Sequence, residues 1–369
     1  MLTAIVIPCL NEQVDIPAAA HSLGFGVGIA ATPDDTLLVL VDNGSTDGTL
    51  RALAAIKRAS RAGAVAVVQE RERGYVPPRA KGVEVVARIA RTRGIAASEV
   101  LILQGDADTR YHGGYVDAFR NAAGAARRPA LFEGLAHPPH RFLREHPGYQ
   151  QLADAVDKEM APFLVDDEFD VIVDDKVCGY SLANYRKWGG HRRDYRSSGK
   201  EIYAETSRLL LRAKRAGAEH VRVVGAVATP SRRKILRNPI RHFATAGFPR
   251  EEAWWRAWSS RYEGPRELSA FEQQDARTVL NSAIKARMTH LLALMSALPL
   301  MVAGPVEIAE AKRNERLHPL VDRFLIDMAA RPTSFDVPIL FDLVLGAVDA
   351  WQDWNSDTRI LLPVGHQPQ

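Results

Sequence analysis

Apolar residues in the first third of the chain come in short, near-continuous runs, each stopped by a polar loop. Residues 2–8, 36–41, 64–68 and 100–104 are such runs. They have the pattern of parallel strands covered on both faces. Between them, residues 15–23, 49–60 and 81–91 carry helical spacing, and Ser45 or Asp47 is placed to cap the second of these helices. Strand, loop and helix therefore alternate, which predicts an α/β fold with a mostly parallel central sheet and flanking helices. No residue pattern recurs at a fixed period, so a solenoid is excluded.

Further on, the pattern predicts a helix over 114–127, a strand over 130–135 and a Pro/His-rich loop over 136–148. It then gives a helix over 151–163, a strand-like 171–173, a polar loop over 191–200 and a helix over 201–216 that Gly217 stops. A strand over 221–227 and a basic loop over 229–241 follow. From about residue 250 strand signals vanish, and three- and four-residue spacing predicts helices over 272–298, 306–330 and 338–354. The expected organisation is a catalytic or binding domain over 1–249 and a helical region over 250–369, with a frayed tail after Pro363.

Composition narrows the class. Over 369 residues, hydrophobic content of 46% and charged content of 25% are ordinary globular values. Lys+Arg 48 against Asp+Glu 44 leaves +4, too small a surplus to argue for nucleic acid, and no zinc-finger spacing accompanies it. Cys9 and Cys178 lie far apart and form no CxxC, so a reducing, cytoplasmic setting is expected. Residues 1–10 lack a basic leader and read as a strand. The apolar run 291–302 is broken by Pro299 and shorter than the roughly 20 residues of a spanning helix, so no transmembrane segment is expected. That run suits a core or a homodimer interface built from C-terminal helices.

The chemistry concentrates at strand ends. Residues 100–104 run into Gly105-Asp106-Ala107-Asp108. In an extended chain Asp106 and Asp108 would point the same way. Crowded carboxylates of this kind suit Mg²⁺ or Mn²⁺, although a polar turn after a strand has the same composition. Asn11, Glu12, Asp42, Arg79, Asp106 and Asp108 all fall at or shortly after strand carboxyl ends. Ligands of open α/β sheets bind there.

These residues resemble a known family. Val6-Ile7-Pro8-Cys9-Leu10-Asn11-Glu12, then Val41-Asp42-Asn43-Gly44-Ser45-Thr46-Asp47-Gly48-Thr49, then Asp106-Ala107-Asp108 resemble, in order, the donor-site motifs of glycosyltransferase family 2, inverting enzymes of the GT-A fold. Pro78-Arg79-Ala80-Lys81-Gly82 is similar to the family's Ala-Arg-Asn-x-Gly segment, and the stretch from Cys178-Gly179 to Trp188-Gly189-Gly190 to its acceptor side. The likeness spans roughly residues 2–233.

The resemblance implies transfer of a sugar from a nucleoside-diphosphate donor, a UDP-sugar first and a GDP-sugar second, to a hydroxyl acceptor. It implies that Pro8, Asn11, Glu12, Asp42, Arg79 and Asp106 hold the nucleotide. Asp108, with Asp106, would hold the metal, and Cys178 and Gly179 would shape the acceptor side. Glu205 would be the catalytic base, with Glu201 one turn earlier, because Thr206 stands where an aspartate is usual. The family's metal-binding histidine is missing from Ala228-Thr229-Pro230-Ser231-Arg232-Arg233. The ion then keeps an extra water, takes His242, or is weakly required. Two other readings stay open: a non-catalytic nucleotide-sugar-binding protein, and a nucleotidyltransferase, which Asn11-Glu12 after the first strand disfavours. Arg232, Arg233, Lys234 and Arg237 can grip a diphosphate or form a solvated loop, and Trp254, Trp255 and Trp258 suit packing at the seam between two domains more than sugar stacking.

Overall fold

Alternation along strand β1 (Leu2–Cys9) divides its side chains between two cores. Ile5, Ile7 and Cys9 cluster with Leu38 and Leu40 of β2 (Thr36–Asp42). Helices α1 (Ile16–Ser22) and α2 (Thr49–Ala59) close that side through Ile16, Ala19, Leu53 and Ile56. Leu2, Ala4 and Val6 turn the other way, with Leu37, Val39 and Val41, onto Val83 and Val86 of α3 (Val76–Thr92). A strand buried on both faces has no polar position to spare, which is why the run reads as continuous.

The protein is described by a computed structural model that covers residues 1–29, 35–160, 171–196, 198–248 and 252–302. After β3 (Val65–Gln69) come β4 (Val100–Gln104), β5 (Thr109–Tyr111), α4 (Tyr115–Ala125) and β6 (Ala130–Ala136). They are followed by α5 (His140–Glu145), α6 (Pro147–Met160), β7 (Cys178–Ser181), α7 (Leu182–Lys187), α8 (Glu205–Arg215) and β8 (Glu219–Pro230). The described chain closes with α9 (Arg233–Arg237), α10 (Pro239–Ala244), α11 (Glu252–Arg261), α12 (Ala276–Val279) and α13 (Asn281–Val302). The strands form one mixed sheet in the order β3-β2-β1-β4-β7-β6-β8-β5. Strands β3, β2, β1 and β4 are parallel, β7 runs antiparallel between β4 and β6, and β6 is parallel to β8. The α/β architecture expected from the sequence is thus what the chain adopts.

Contacts group the chain into two units. The first takes Met1–Leu143, Asp170–Asp194 and Glu201–Arg232 and holds the sheet. The second takes the described residues of Arg144–Phe169, Tyr195–Lys200 and Arg233–Gln369. Within it, Tyr149 packs on Phe243 and Phe271, and the Arg287 guanidinium pairs with Asp157 at 2.7 Å. Trp255 and Trp258 are buried there with ring centroids 5.4 Å apart, and Trp258 stacks on Tyr262. Both rings pack within that unit.

Several boundaries differ from expectation for physical reasons. Helix α3 starts at Val76 instead of residue 81, because Pro77 and Pro78 sit in its first turn, where a missing N–H costs nothing. The expected loop 136–148 contains α5, and the basic stretch 229–241 is β8 extended to Pro230 and then α9 and α10. Residues 171–173 form no strand. Helix α8 begins at Glu205, not 201, and the expected helix 272–298 is broken before α13. Of the two residues expected to cap α2, Asp47 accepts the N–H of the first helical residue, Thr49, at 2.9 Å, although Gly48 holds the N-cap position, whereas the Ser45 hydroxyl accepts from the Asn11 N–H at 3.0 Å instead. The helices expected over 306–330 and 338–354, and the tail after Pro363, lie outside the described residues.

Gly179 shows how tightly β7 is set. A Cβ there would meet Leu103 Cδ2 at 2.7 Å and the Ile102 carbonyl at 3.1 Å. Gly179→Ala is expected to cost about 1–3 kcal/mol through overpacking, read by urea unfolding.

Candidate active site

The first and second βα loops are laced together at the carboxyl edge of the sheet. Asn11, at φ 57° in the left-handed region, accepts the Thr46 N–H at 2.8 Å on its side-chain oxygen. The Glu12 N–H donates to Thr49 Oγ1 at 2.8 Å, and Gln13 Oε1 accepts the Gly48 N–H at 2.7 Å. Asp42 ends β2 level with Cys9 and is buried. Its two carboxylate oxygens accept the Gly44 and Ser45 N–H groups at 3.3 Å each, which shapes the loop that follows β2. Burial, and then the negative charges of Glu12, Asp42 and Asp106, push the Cys9 thiol up. Pro8 is half-buried beside it.

At the start of α3 a single buried guanidinium collects three acids. Arg79 Nε donates to Glu205 at 2.9 Å and Nη1 to Gln104 at 3.1 Å. Nη2 meets Asp175 at 2.5 Å and Asp106 at 3.4 Å. Planar, five-donor arginine suits such a fork, and lysine does not. The charge of Arg79 is held firmly: burial works against it, but Asp175, Glu205 and Asp106 together raise its pKa well above the usual value. Gln104 donates in turn to Tyr180 Oη at 2.6 Å, so the guanidinium is fixed from below.

Asp106 is the strained member. Burial, then the neighbouring Asp175, push its carboxyl up to about 6; Arg79 and Lys176 pull it down, and Asp108 adds a further upward push. Asp106 and Asp108 do not continue the strand as an extended pair. Strand β4 ends at Gln104, and a turn carries Asp108 into β5. That turn rests on Tyr111, whose hydroxyl accepts the Asp106 N–H at 2.9 Å and also reaches the Lys176 carbonyl at 3.4 Å. The backbone carbonyl of Asp108 accepts the Ser231 N–H at 2.9 Å.

Glu205 and Glu201 occupy different places. Glu205 opens α8 directly after Ala204, which takes φ 60° and ψ 39°, a costly left-handed conformation for alanine. Burial pushes the Glu205 carboxyl up although Arg79 beside it pulls down. Glu201 precedes the helix altogether, so the expected single helix face is corrected. Its carboxylate accepts the Tyr75 and Val76 N–H groups at 3.1 and 2.9 Å and so caps α3, the helix carrying Arg79, while Arg193 pairs with it at 3.3 Å. Thr206 meets His191 Nε2 at 3.3 Å, and burial, then the nearby arginines, hold that histidine's pKa well below the usual value. Cys178 is buried on β7, where burial pushes its thiol pKa up while the nearby Arg79 charge pulls it down, and Gly179 packs inside the sheet.

Sequence reasoning missed the segment Asp174-Asp175-Lys176. Asp174 receives Lys176 Nζ at 2.7 Å, and its own N–H donates to Glu133 at 2.7 Å. Three charged residues between the apolar runs 171–173 and 177–178 were the available signal. His242 lies in the second unit with Nδ1 3.0 Å from the Tyr149 hydroxyl. Among the described residues no three His, Cys, Asp or Glu side chains come together as a ready metal cage, and no helix is long and apolar enough to cross a membrane.

No protein-family model matches the chain, and no curated protein matches it. Solved structures do. TarS 1–349 of S. aureus aligns with 11% identity and a TM-score of 0.47 over 96% of this chain and 92% of that one. The mannosyltransferase PcManGT of Pyrobaculum calidifontis, in complex with GDP-Man and Mn²⁺, aligns with 16% identity and a TM-score of 0.44 over 96% and 88%. Glucosyl-3-phosphoglycerate synthase of Mycobacterium tuberculosis, with Mg²⁺ and UDP, gives 17% identity and a TM-score of 0.37 over 63% and 72%. Scores and identities at this level carry no activity across to this chain.

Proposed function

We propose that this protein is an inverting glycosyltransferase of family 2 type, with a GT-A domain over residues 1–249 followed by a separate region over 250–369. It takes a sugar from a nucleoside-diphosphate donor, UDP-linked first and GDP-linked second, to an acceptor hydroxyl. The observation that carries this reading is the acid cluster on Arg79 at the carboxyl edge of the parallel strands β1 and β4. Burial, and next the crowding by Asp175, raise the Asp106 carboxyl there to about 6. A divalent cation relieves that crowding.

The residues fit Mg²⁺ or Mn²⁺ of the kind held by one or two carboxylates and completed by substrate phosphates and water. Asp108 and Asp106 would hold it, so neither a third protein ligand nor His242 is required. When bound, the ion supplies charge neutralisation for the departing nucleoside diphosphate. Asp42, Asn11, Glu12 and Pro8 bind and orient the nucleoside, and Arg79 sets the position of Asp106 beside it. Cys178 and Gly179 back the acceptor side from inside the sheet. The partners are a nucleotide sugar and a hydroxyl compound, and neither nucleic acid nor a membrane span enters the reading.

The test is nucleotide release from UDP-glucose and GDP-mannose with Mn²⁺ and with EDTA. Metal-dependent release of UDP or GDP is the expected result. Binding without release would identify a binding protein, and release of pyrophosphate from a nucleoside triphosphate a nucleotidyltransferase.

A further inference from the structure

Three carboxylates share the Arg79 guanidinium, and they differ in how far they reach solvent. The Glu205 side chain is 6% exposed, that of Asp106 29% and that of Asp175 35%. Thr206 is buried against His191 and, being a hydroxyl, is no proton acceptor at neutral pH. Glu205 is turned inward along Arg79 Nε. An incoming hydroxyl therefore meets Asp175 before it meets Glu205.

We infer that Asp175 is the catalytic base that takes the acceptor proton, and that Glu205 is a positioning residue that orients Arg79. This rests on the transferase reading above. Asp175 Oδ2 is fixed by Arg79 Nη2, on the same nitrogen that reaches Asp106. Its segment is anchored on both sides: the Val173 N–H donates to Ser207 Oγ at 3.1 Å, the Asp174 N–H to Glu133, and the Lys176 carbonyl faces Tyr111 Oη. A base so held keeps its geometry without reorganising. In the step, the acceptor oxygen bonds to the anomeric carbon as the bond from that carbon to the diphosphate oxygen breaks. The bonding electron pair leaves with the nucleoside diphosphate, and the hydroxyl proton passes to the Asp175 carboxylate.

The full-length chain, UDP-glucose or GDP-mannose, Mn²⁺ and two nucleophiles test this. Water must lose a proton to attack; azide carries none. In Asp175→Asn, release of nucleotide to water should fall about 100-fold or more while formation of glycosyl azide persists, because only the first needs a base. Glu205→Gln should lower both reactions together. If Asp175→Asn lowers both alike, or neither, the assignment is overturned. It is equally overturned if the selective loss of the water reaction appears in Glu205→Gln instead. Wild-type protein that turns over neither donor with either nucleophile would defeat the transferase reading itself, a result distinct from all of these.

Discussion

Arg79→Ala should cost about 3–5 kcal/mol of folding stability, the range for removing one partner of a buried ion pair. The side chain is buried and is the shared partner of Glu205, Asp175 and Asp106. Without it, Glu205 stays inside the protein with no cation on its Oε1, and burial already disfavours its charge. Gln104 Oε1 also loses its donor. Arg79→Lys should recover only part of the loss, since an ammonium cannot span Nε, Nη1 and Nη2 contacts on separate partners. Urea unfolding of the two variants against wild type reads this. A loss below about 1 kcal/mol for Arg79→Ala, the size of an exposed pair, would show that the cluster is solvated and not buried.

Asp106→Asn should act in opposite directions on stability and on turnover. The Asp106 carboxyl is raised from 3.8 to about 6, with burial the main cause and Asp175 the next. Between those pH values the folded chain keeps a proton that the unfolded chain has released. Stability therefore falls as pH rises through that window, and at pH 7 the ionised carboxylate is a standing cost of about 1–3 kcal/mol. Asparagine removes that cost, so metal-free Asp106→Asn should melt higher than wild type at pH 7, and the gap should close near pH 4. The same change removes a carboxylate assigned to the cation, so nucleotide release should drop about 100-fold or more, as for loss of electrostatic stabilisation at a reacting centre. Mn²⁺ with UDP should raise the melting temperature of wild type more than that of the variant. Melting curves at pH 4, 5 and 7, with and without Mn²⁺ and UDP, check both halves. A variant that melts lower than wild type at pH 7 without metal would refute the first.

Capping by Glu201 and the fork on Arg79 illustrate where sequence reading stops. Helical spacing alone puts the third helix over 81–91, after Pro77-Pro78. The chain starts the helix at Val76 because Glu201, 125 residues on, accepts its N–H, as it does that of Tyr75. Arg79 was recognised as a site residue, but its partners Asp175 and Glu205 lie 96 and 126 positions away. Neither periodicity nor motif spacing registers a contact over that distance. The turn at Asp106-Ala107-Asp108 failed for a local reason: period-2 alternation was extended past Gln104, where the strand had already ended.

By itself the sequence determined the βα rhythm and the loops at which chemistry collects, because each strand's burial on two faces is written in its own few residues. It also put Asn11, Glu12, Asp42, Arg79, Asp106 and Asp108 at or shortly after strand carboxyl ends. Which acids face solvent, which one bears the strain, and that Asp175 joins them were decided only by tertiary structure. Charge and exposure are properties of the assembled neighbourhood: a carboxylate's character follows from the guanidinium beside it and the water it has lost, and both arrive from distant parts of the chain.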